Sequence, residues 1–329
     1  MSQHFLLSAK ARSLSLAKVM RLTDEEAYET FKAIRWADTE GKPFCGKCGG
    51  TVVYEYAARR IFKCKGCTAQ FSVTSGTIFA SRKMPVRDLL AAIAIFVNGA
   101  KGHSALQLSR DLDCQYKTAF VLAHKLREAM GAADKGAKVA GHVEIDGMYV
   151  GGHVRPANYK KDRKDRRLAE NQTGKRQVVI VARERDGKTL TLVAKTEADA
   201  VRPLHDRLAH GTTVYADEAS HWDAFHARYV TKRINHTVAY SHDGACTNQA
   251  ESFFSRLRRA EIGIHHKIAG PYLAAYAAEM DWREDNRRVA NGEQYQMVIK
   301  AALAHPASRQ WAGYWQRSNE WQNRTSSQH

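Results

Sequence analysis

The 329-residue sequence has no apolar run long enough to cross a bilayer: the longest, Leu89 to Val97, is nine residues, against the ~20 a spanning helix needs. Only Phe5-Leu6-Leu7 precedes Lys10 and Arg12, too little for a secretory leader, and no lipidation motif is present. These absences set the expectation of a cytoplasmic protein with no membrane partner. Six cysteines are too few for a disulfide scaffold, so their meaning lies in their spacing. Acids are scarce relative to bases, 34 against 51, which gives a net charge of +17. That imbalance favours a polyanionic partner, most commonly nucleic acid; no basic amphipathic segment supports an acidic membrane instead. Hydrophobic residues at 44% and charged ones at 26% exclude a wholly disordered chain, and the length predicts two or three domains.

What is present changes character along the chain. Thr23-Asp24-Glu25-Glu26 is a capping box opening a helix to about Trp36. Leu89 to Val97, apolar all round, predicts a buried helix stopped by Asn98-Gly99, and shorter helical patterns cover 104–111 and 115–130. Gly131 to Gly141 has the composition of a linker. Beyond it the period becomes extended, with strands predicted at 143–149, 177–183 and 190–194. A helix at 198–209, a strand at 213–216, a helix at 220–229, a strand at 234–240 and helices at 248–260 and 271–288 follow. Three strands in hairpin order, then alternating helices and strands, predict an α/β mixed sheet flanked by helices.

Cys45-Gly46-Lys47-Cys48 and Cys64-Lys65-Gly66-Cys67 are two C-x-x-C turns separated by 15 residues. A predicted hairpin between them brings the turns together, so Cys45, Cys48, Cys64 and Cys67 make a closed four-thiolate site suited to one structural zinc; iron satisfies the same cage. Next, a short helix from Ser104, a turn at Leu112-Asp113-Cys114 and a second helix form a helix-turn-helix pattern. Gln115, Tyr116, Lys117 and Thr118 stand at the end that would meet base edges.

Three segments carry acids that could hold metal. Val143-Glu144-Ile145-Asp146-Gly147 is a strand with Glu144 and Asp146 on one face, and Thr213 to Asp217 is a strand ending in an acid. Asn248-Gln249-Ala250-Glu251 opens a helix, with Arg258 seven residues after Glu251 on the same face. Taken alone, Glu251 could equally complete a capping box begun by Asn248. Three acids converging from two strand ends and a helix start could hold two divalent cations.

These motifs resemble the DDE transposases of bacterial insertion sequences, in particular the group with an N-terminal zinc ribbon and a ribonuclease-H-like catalytic domain. The resemblance rests on the cysteine pairs, on Lys101-Gly102 with Ser104 to Ser109 and Tyr116 to Ala119, and on Val143 to Gly147 followed by Tyr149-Val150-Gly151-Gly152. It rests also on Tyr215-Ala216-Asp217-Glu218 and on Thr247 to Phe254. It implies Asp146, Asp217 and Glu251 as a catalytic triad holding two Mg²⁺ (or Mn²⁺), with Arg258 where lysine is common. Asn248 is a lesser candidate for the third ligand, and Glu144 and Glu218 are neighbours of the triad, not members. Between the first two strands of that domain, residues 151–176 hold nine bases against three acids, including Arg163, Lys164, Arg166 and Arg167. This stretch is expected to act as a phosphate-tracking arm.

The implied organisation is an N-terminal helical segment (1–44), a zinc ribbon (45–80), a helix-turn-helix domain (84–131), a ribonuclease-H-like DDE domain (140–290) and a C-terminal tail (291–329). The implied partners are double-stranded DNA, as element ends and target, and at least one further copy of the chain. A nucleoid-associated place in the bacterial cytosol follows. A non-catalytic DNA-binding regulator and a host nuclease of the same fold are the alternatives.

Overall fold

A computed structural model of the protein describes residues 5–165, 168–185, 187–235, 241, 244 and 246–317. It divides into two compact units, Met1–Ala133 with Arg288–His329, and Asp134–Arg287.

In the first unit, α1 (Leu16–Met20) precedes α2 (Asp24–Arg35). The capping box of α2 forms as its sequence predicts, with Thr23 Oγ1 accepting from Glu26 N (3.2 Å) and Glu26 Oε2 accepting from Thr23 N (2.7 Å). A three-stranded antiparallel sheet follows, β1 (Val53–Tyr56), β2 (Ile61–Cys64) and β3 (Gln70–Ser72). The third strand has only three residues, too few for an alternating pattern to be visible in the sequence. Helix α3 (Val86–Asn98) is buried over nearly its whole surface, as its unbroken apolar run requires. Helices α4 (Ala105–Asp111) and α5 (Tyr116–Ala133) flank a tight turn in which Asp113 takes a positive φ of 47°. The second of them continues past Gly131 into the expected linker.

The second unit is built on a five-stranded sheet. Its strands are β4 (His142–Val150), β5 (Gln177–Glu184), β6 (Thr189–Ala194), β7 (Thr213–Asp217) and β8 (Val230–Ile234), in the order β6-β5-β4-β7-β8. The β4–β5 and β5–β6 pairs are antiparallel, and the β4–β7 and β7–β8 pairs are parallel. This is the mixed sheet expected of a ribonuclease-H-like domain. Helix α6 (Glu197–Arg207) lies on one face, where Val143, Ile145, Val214 and Ala216 pack with Leu204, Trp222 and Phe225. Helices α7 (Asn248–Ala260) and α8 (Leu273–Asp285) lie on the other, where Met148, Val150, Val179 and Val181 meet Phe253, Leu257 and Leu273. The two-residue alternation along β4 assigns each side chain to its layer.

Two elements differ from expectation. Ser220–Ala227 is a 3₁₀ helix rather than an α-helix. Its buried aromatics, Trp222 and Phe225, stand three apart and stack at 5.8 Å, which suits three residues per turn. Strand β8 ends at Ile234, where the expected strand begins, and residues 236–240 of that expected strand lie outside the described residues. The reason is register: pairing from Thr213↔Val230 to Asp217↔Ile234 selects the polar segment Val-Thr-Lys-Arg-Ile, which has no apolar alternation.

The exposed edge of β6 is closed by acids from α8. Asp281 Oδ2 accepts from Thr191 N (2.9 Å) and Oγ1 (2.6 Å), and Asp285 Oδ1 accepts from Thr189 N (2.9 Å). These bonds occupy amides that would otherwise template another strand. Burial pushes the Asp281 carboxyl up to about 8, well above its unfolded value near ~3.9. The folded state therefore holds this proton more tightly, so its stabilising contribution is full below about pH 4 and is lost as pH rises towards 8. The expected slope is up to about one proton, ~1.4 kcal/mol per pH unit. Asp281→Asn should flatten that part of the unfolding-versus-pH curve, measured by urea titration from pH 5 to 8; an unchanged slope would remove Asp281 as its source.

The chain finally returns to the first unit. Helix α9 (Asn291–Ala304), within the segment expected to be a tail, packs on α3 and α5 and is pinned by Asn291 Oδ1 accepting from Leu14 N (2.8 Å). Trp311 beyond it is buried and stacks on His124 at 4.2 Å.

Candidate active site and cysteine cluster

The acids converge through sheet register. In the parallel β4–β7 pair Glu144 is level with Tyr215. Two residues further along each strand stand Asp146 and Asp217, on one face of the sheet. Both are half-buried. Gly147 N donates to Asp146 Oδ1 (2.7 Å), and Ala219 N donates to Asp217 Oδ1 (3.1 Å). Burial raises the Asp146 carboxyl to about 7, and the negative charges of Asp217, Glu197 and Glu251 add to the rise. The three expected triad acids thus share one electrostatic neighbourhood. They are not drawn into a tight cluster: among the described residues, only the four cysteines form a group of three or more ligands with all donor atoms within 4.8 Å.

Glu251 sits on the first turns of α7, exposed, and the helix continues unbroken to Ala260, which returns exposed Arg258 to the same face. The N-cap of α7 is Thr247 and makes no side-chain capping bond, so the capping-box alternative for Asn248 and Glu251 does not occur. Arg258 Nε reaches Met148 Sδ (3.0 Å), two residues beyond Asp146 on β4.

The cysteine cluster lies in the ribbon of the first unit. Cys45 Sγ stands 3.6 Å from Cys67 Sγ, and Cys48 Sγ stands 3.6 Å from Cys64 Sγ. Each turn closes with a residue of positive φ, Gly49 at 74° and Thr68 at 59°. Backbone amides of Cys48 and Lys47 point at Cys45 and lower its thiol to about 7, and the Cys67 amide lowers Cys64. Both effects favour the thiolate that a metal requires. The ribbon's core is aromatic: Trp36, at the end of α2, meets Phe62 edge-on at 5.5 Å, and Phe62 packs on Phe71 at 5.5 Å.

The family model described as ISXO2-like transposase domain matches residues 138–285, and the one described as transposase zinc-ribbon domain matches residues 22–70. The two matched segments support a transposase role for the chain. Its sequence is also similar to a protein of the transposable element ISH50 from Halobacterium salinarum, 24% identical over 298 residues that cover 86% of this chain and 98% of that protein. No solved structure matches the transposase.

The residues expected at DNA have differing surroundings. Gln115, Tyr116, Lys117 and Thr118 are all exposed at the start of α5. The C-terminal segment partly covers Lys117, whose ammonium lies 5.2 Å from the Trp315 ring centroid and whose carbonyl accepts from Trp315 Nε1 (3.3 Å). Arg163 and Lys164 are exposed on the 151–176 segment, and Arg166 and Arg167 lie outside the described residues. That segment leaves β4 through Gly151 and Gly152, both of positive φ, and a Cβ on Gly152 would meet the Arg176 backbone nitrogen at 2.9 Å.

The supporting roles of three residues were not visible in the sequence. Glu197, at the first position of α6, lies against Gly147 where a Cβ would stand, and its carboxylate is 3.1 Å from His221 Nε2. A glycine inside a strand, directly after Asp146, was the available signal for such an approach. Arg233 on β8 donates to the carbonyls of Asp217 and Ala219 and to Asp223, clamping the turn that follows Asp217. Glu144 is buried, with both oxygens bonded.

Proposed function

We propose that this transposase binds the terminal inverted repeats of its element, cuts the DNA strand at the element end and joins the freed 3′-hydroxyl to target DNA. The observation that carries the reading is that Asp146 and Asp217 each stand two residues beyond the paired Glu144 and Tyr215 on adjacent parallel strands, with Glu251 in the same electrostatic neighbourhood. The donor set fits Mg²⁺ or Mn²⁺: all three are hard carboxylates whose mutual repulsion a divalent cation relieves. Asp146, Asp217 and Glu251 would hold two such ions, and Asn248 is the lesser alternative for the third ligand. Bound there, such ions would supply activation of a hydroxyl and stabilisation of the leaving oxygen of a phosphodiester. Arg258, on the same face of α7 as Glu251, supplies a fixed positive charge for the phosphate. The Gly147 amide orients Asp146, and Arg233 orients Asp217. One zinc on Cys45, Cys48, Cys64 and Cys67 holds the ribbon together. Joining two element ends requires at least a dimer, acting on chromosomal DNA in the bacterial cytosol. Terminal inverted repeats and a short target duplication flanking the gene are expected; their absence would favour a regulator or a host nuclease.

Recognition and general attraction are separable. Base-edge contacts discriminate by roughly 1–3 kcal/mol each, whereas phosphate contacts add affinity regardless of sequence. Replacing Tyr116 and Lys117 by Ala should shrink the preference for repeat over random duplex. Neutralising Arg163, Lys164, Arg166 and Arg167 should weaken both alike and flatten the salt dependence by up to ~0.9 log units per lost phosphate contact. Binding isotherms on both duplexes at several salt concentrations decide this. Loss of preference in the arm variant alone would reverse the two assignments.

A further inference from the structure

The amides that open α7 are satisfied by a different strand. Glu144 Oε2 accepts from Gln249 N (2.8 Å) and Ala250 N (3.3 Å), while Oε1 accepts from Arg185 Nε (3.0 Å). The side chain is only 1% exposed. It does the work that the Thr247 side chain does not, presenting a carboxylate to the positive end of a helix dipole. Its partners are fixed in turn. Arg185 Nη2 donates to Gly244 O (2.9 Å), and its guanidinium carbon lies 3.8 Å from the Tyr215 ring centroid. Gln249 Nε2 donates to Arg185 O (2.8 Å), and Gln249 Oε1 accepts from Arg183 Nε (3.0 Å).

Position gives this buried anion its consequence. Glu144 precedes Asp146 by two residues on the same face of β4, and Gln249 precedes Glu251 by two residues on α7. The Glu144 carboxylate therefore joins the strand of the first acid to the helix of the third. We propose that Glu144 is a positioning residue that fixes the separation of Asp146 and Glu251 and so sets how tightly the site takes a divalent cation. This inference rests on reading Asp146, Asp217 and Glu251 as a metal site.

The test is Mn²⁺ binding by calorimetry on the full-length protein, alongside the Mn²⁺ dependence of cleavage. Glu144→Gln keeps the size but offers a single acceptor oxygen, and it should weaken Mn²⁺ binding by about tenfold or more, as loss of outer support does at metal sites. Its cleavage should return towards the parent rate at saturating Mn²⁺, a rescue that general structural damage would not give. Asp281→Asn, which alters a buried carboxylate elsewhere in the same unit, should bind Mn²⁺ as the parent does. Should Glu144→Gln fail to fold, Glu144→Asp keeps the charge but is too short to reach Arg185 and both helix amides together, and it should shift Mn²⁺ affinity in the same direction. Parent-like Mn²⁺ affinity in the folded Glu144 variant would overturn the proposal. Parent-like affinity in Asp146→Asn would instead overturn the metal site itself.

Discussion

Asp146→Asn is expected to reduce cleavage and joining by at least ~10³-fold while leaving DNA-end affinity within about twofold. The size follows from the several kcal/mol that metal ions supply in phosphodiester chemistry, at ~1.4 kcal/mol per factor of ten. The amide keeps the shape of the side chain and can still accept from Gly147 N, so the strand is not disturbed. What it loses is one negative charge in a neighbourhood shared with Asp217, Glu197 and Glu251. Binding survives because Asp146 lies in the Asp134–Arg287 unit, while the proposed base readers Gln115 to Thr118 lie in the other. Cleavage by the variant at the parent rate in Mg²⁺ would remove Asp146 from the triad.

The second large effect concerns the ribbon. Structural zinc in small four-ligand domains is worth ~10–16 kcal/mol, and much of that is folding energy. The three strands have four, four and three residues, so a metal on the four thiolates would add folding energy that so small a sheet does not supply. The parent should carry close to one zinc per chain by elemental analysis. Changing Cys45 and Cys64 together to Ser should release it, abolish the near-ultraviolet signal of packed Trp36 and weaken DNA-end binding. A parent preparation with neither zinc nor iron would defeat the assignment, as would a double variant with an unchanged spectrum.

Much of this was legible because it was local. The capping box at Thr23, the all-apolar α3, the alternation that opens β4, the apolar run of β5 and the two C-x-x-C turns are patterns within a few residues. The proposed triad drew its assignment from the resemblance to a family, since a single acid after a strand carries little information in a chain with 34 acids. What stayed hidden is tertiary. Nothing in Val-Thr-Lys-Arg-Ile marks an edge strand until β7 pairs with it, and Arg233 meets the Asp217 turn only because that pairing exists. Glu144 is adjacent to Asp146 in sequence, yet its partners Gln249 and Ala250 are over a hundred residues away, so its helix-capping role could not be read from the strand. Helix α9 is a different case. Tyr295, Val298, Ile299, Ala302 and Leu303 have helical spacing and are buried, a period available in the sequence of the segment expected to be a tail.

The most direct test of the account is a strand-transfer reaction with the purified full-length transposase, a labelled duplex carrying one element end and an unlabelled target duplex, in Mg²⁺. The account predicts a nick that exposes the 3′-hydroxyl at the element end, followed by a labelled product covalently joined to target, both absent without divalent metal and absent with Asp146→Asn. End binding with the DNA left intact, or hydrolysis that never yields joined product, would contradict it.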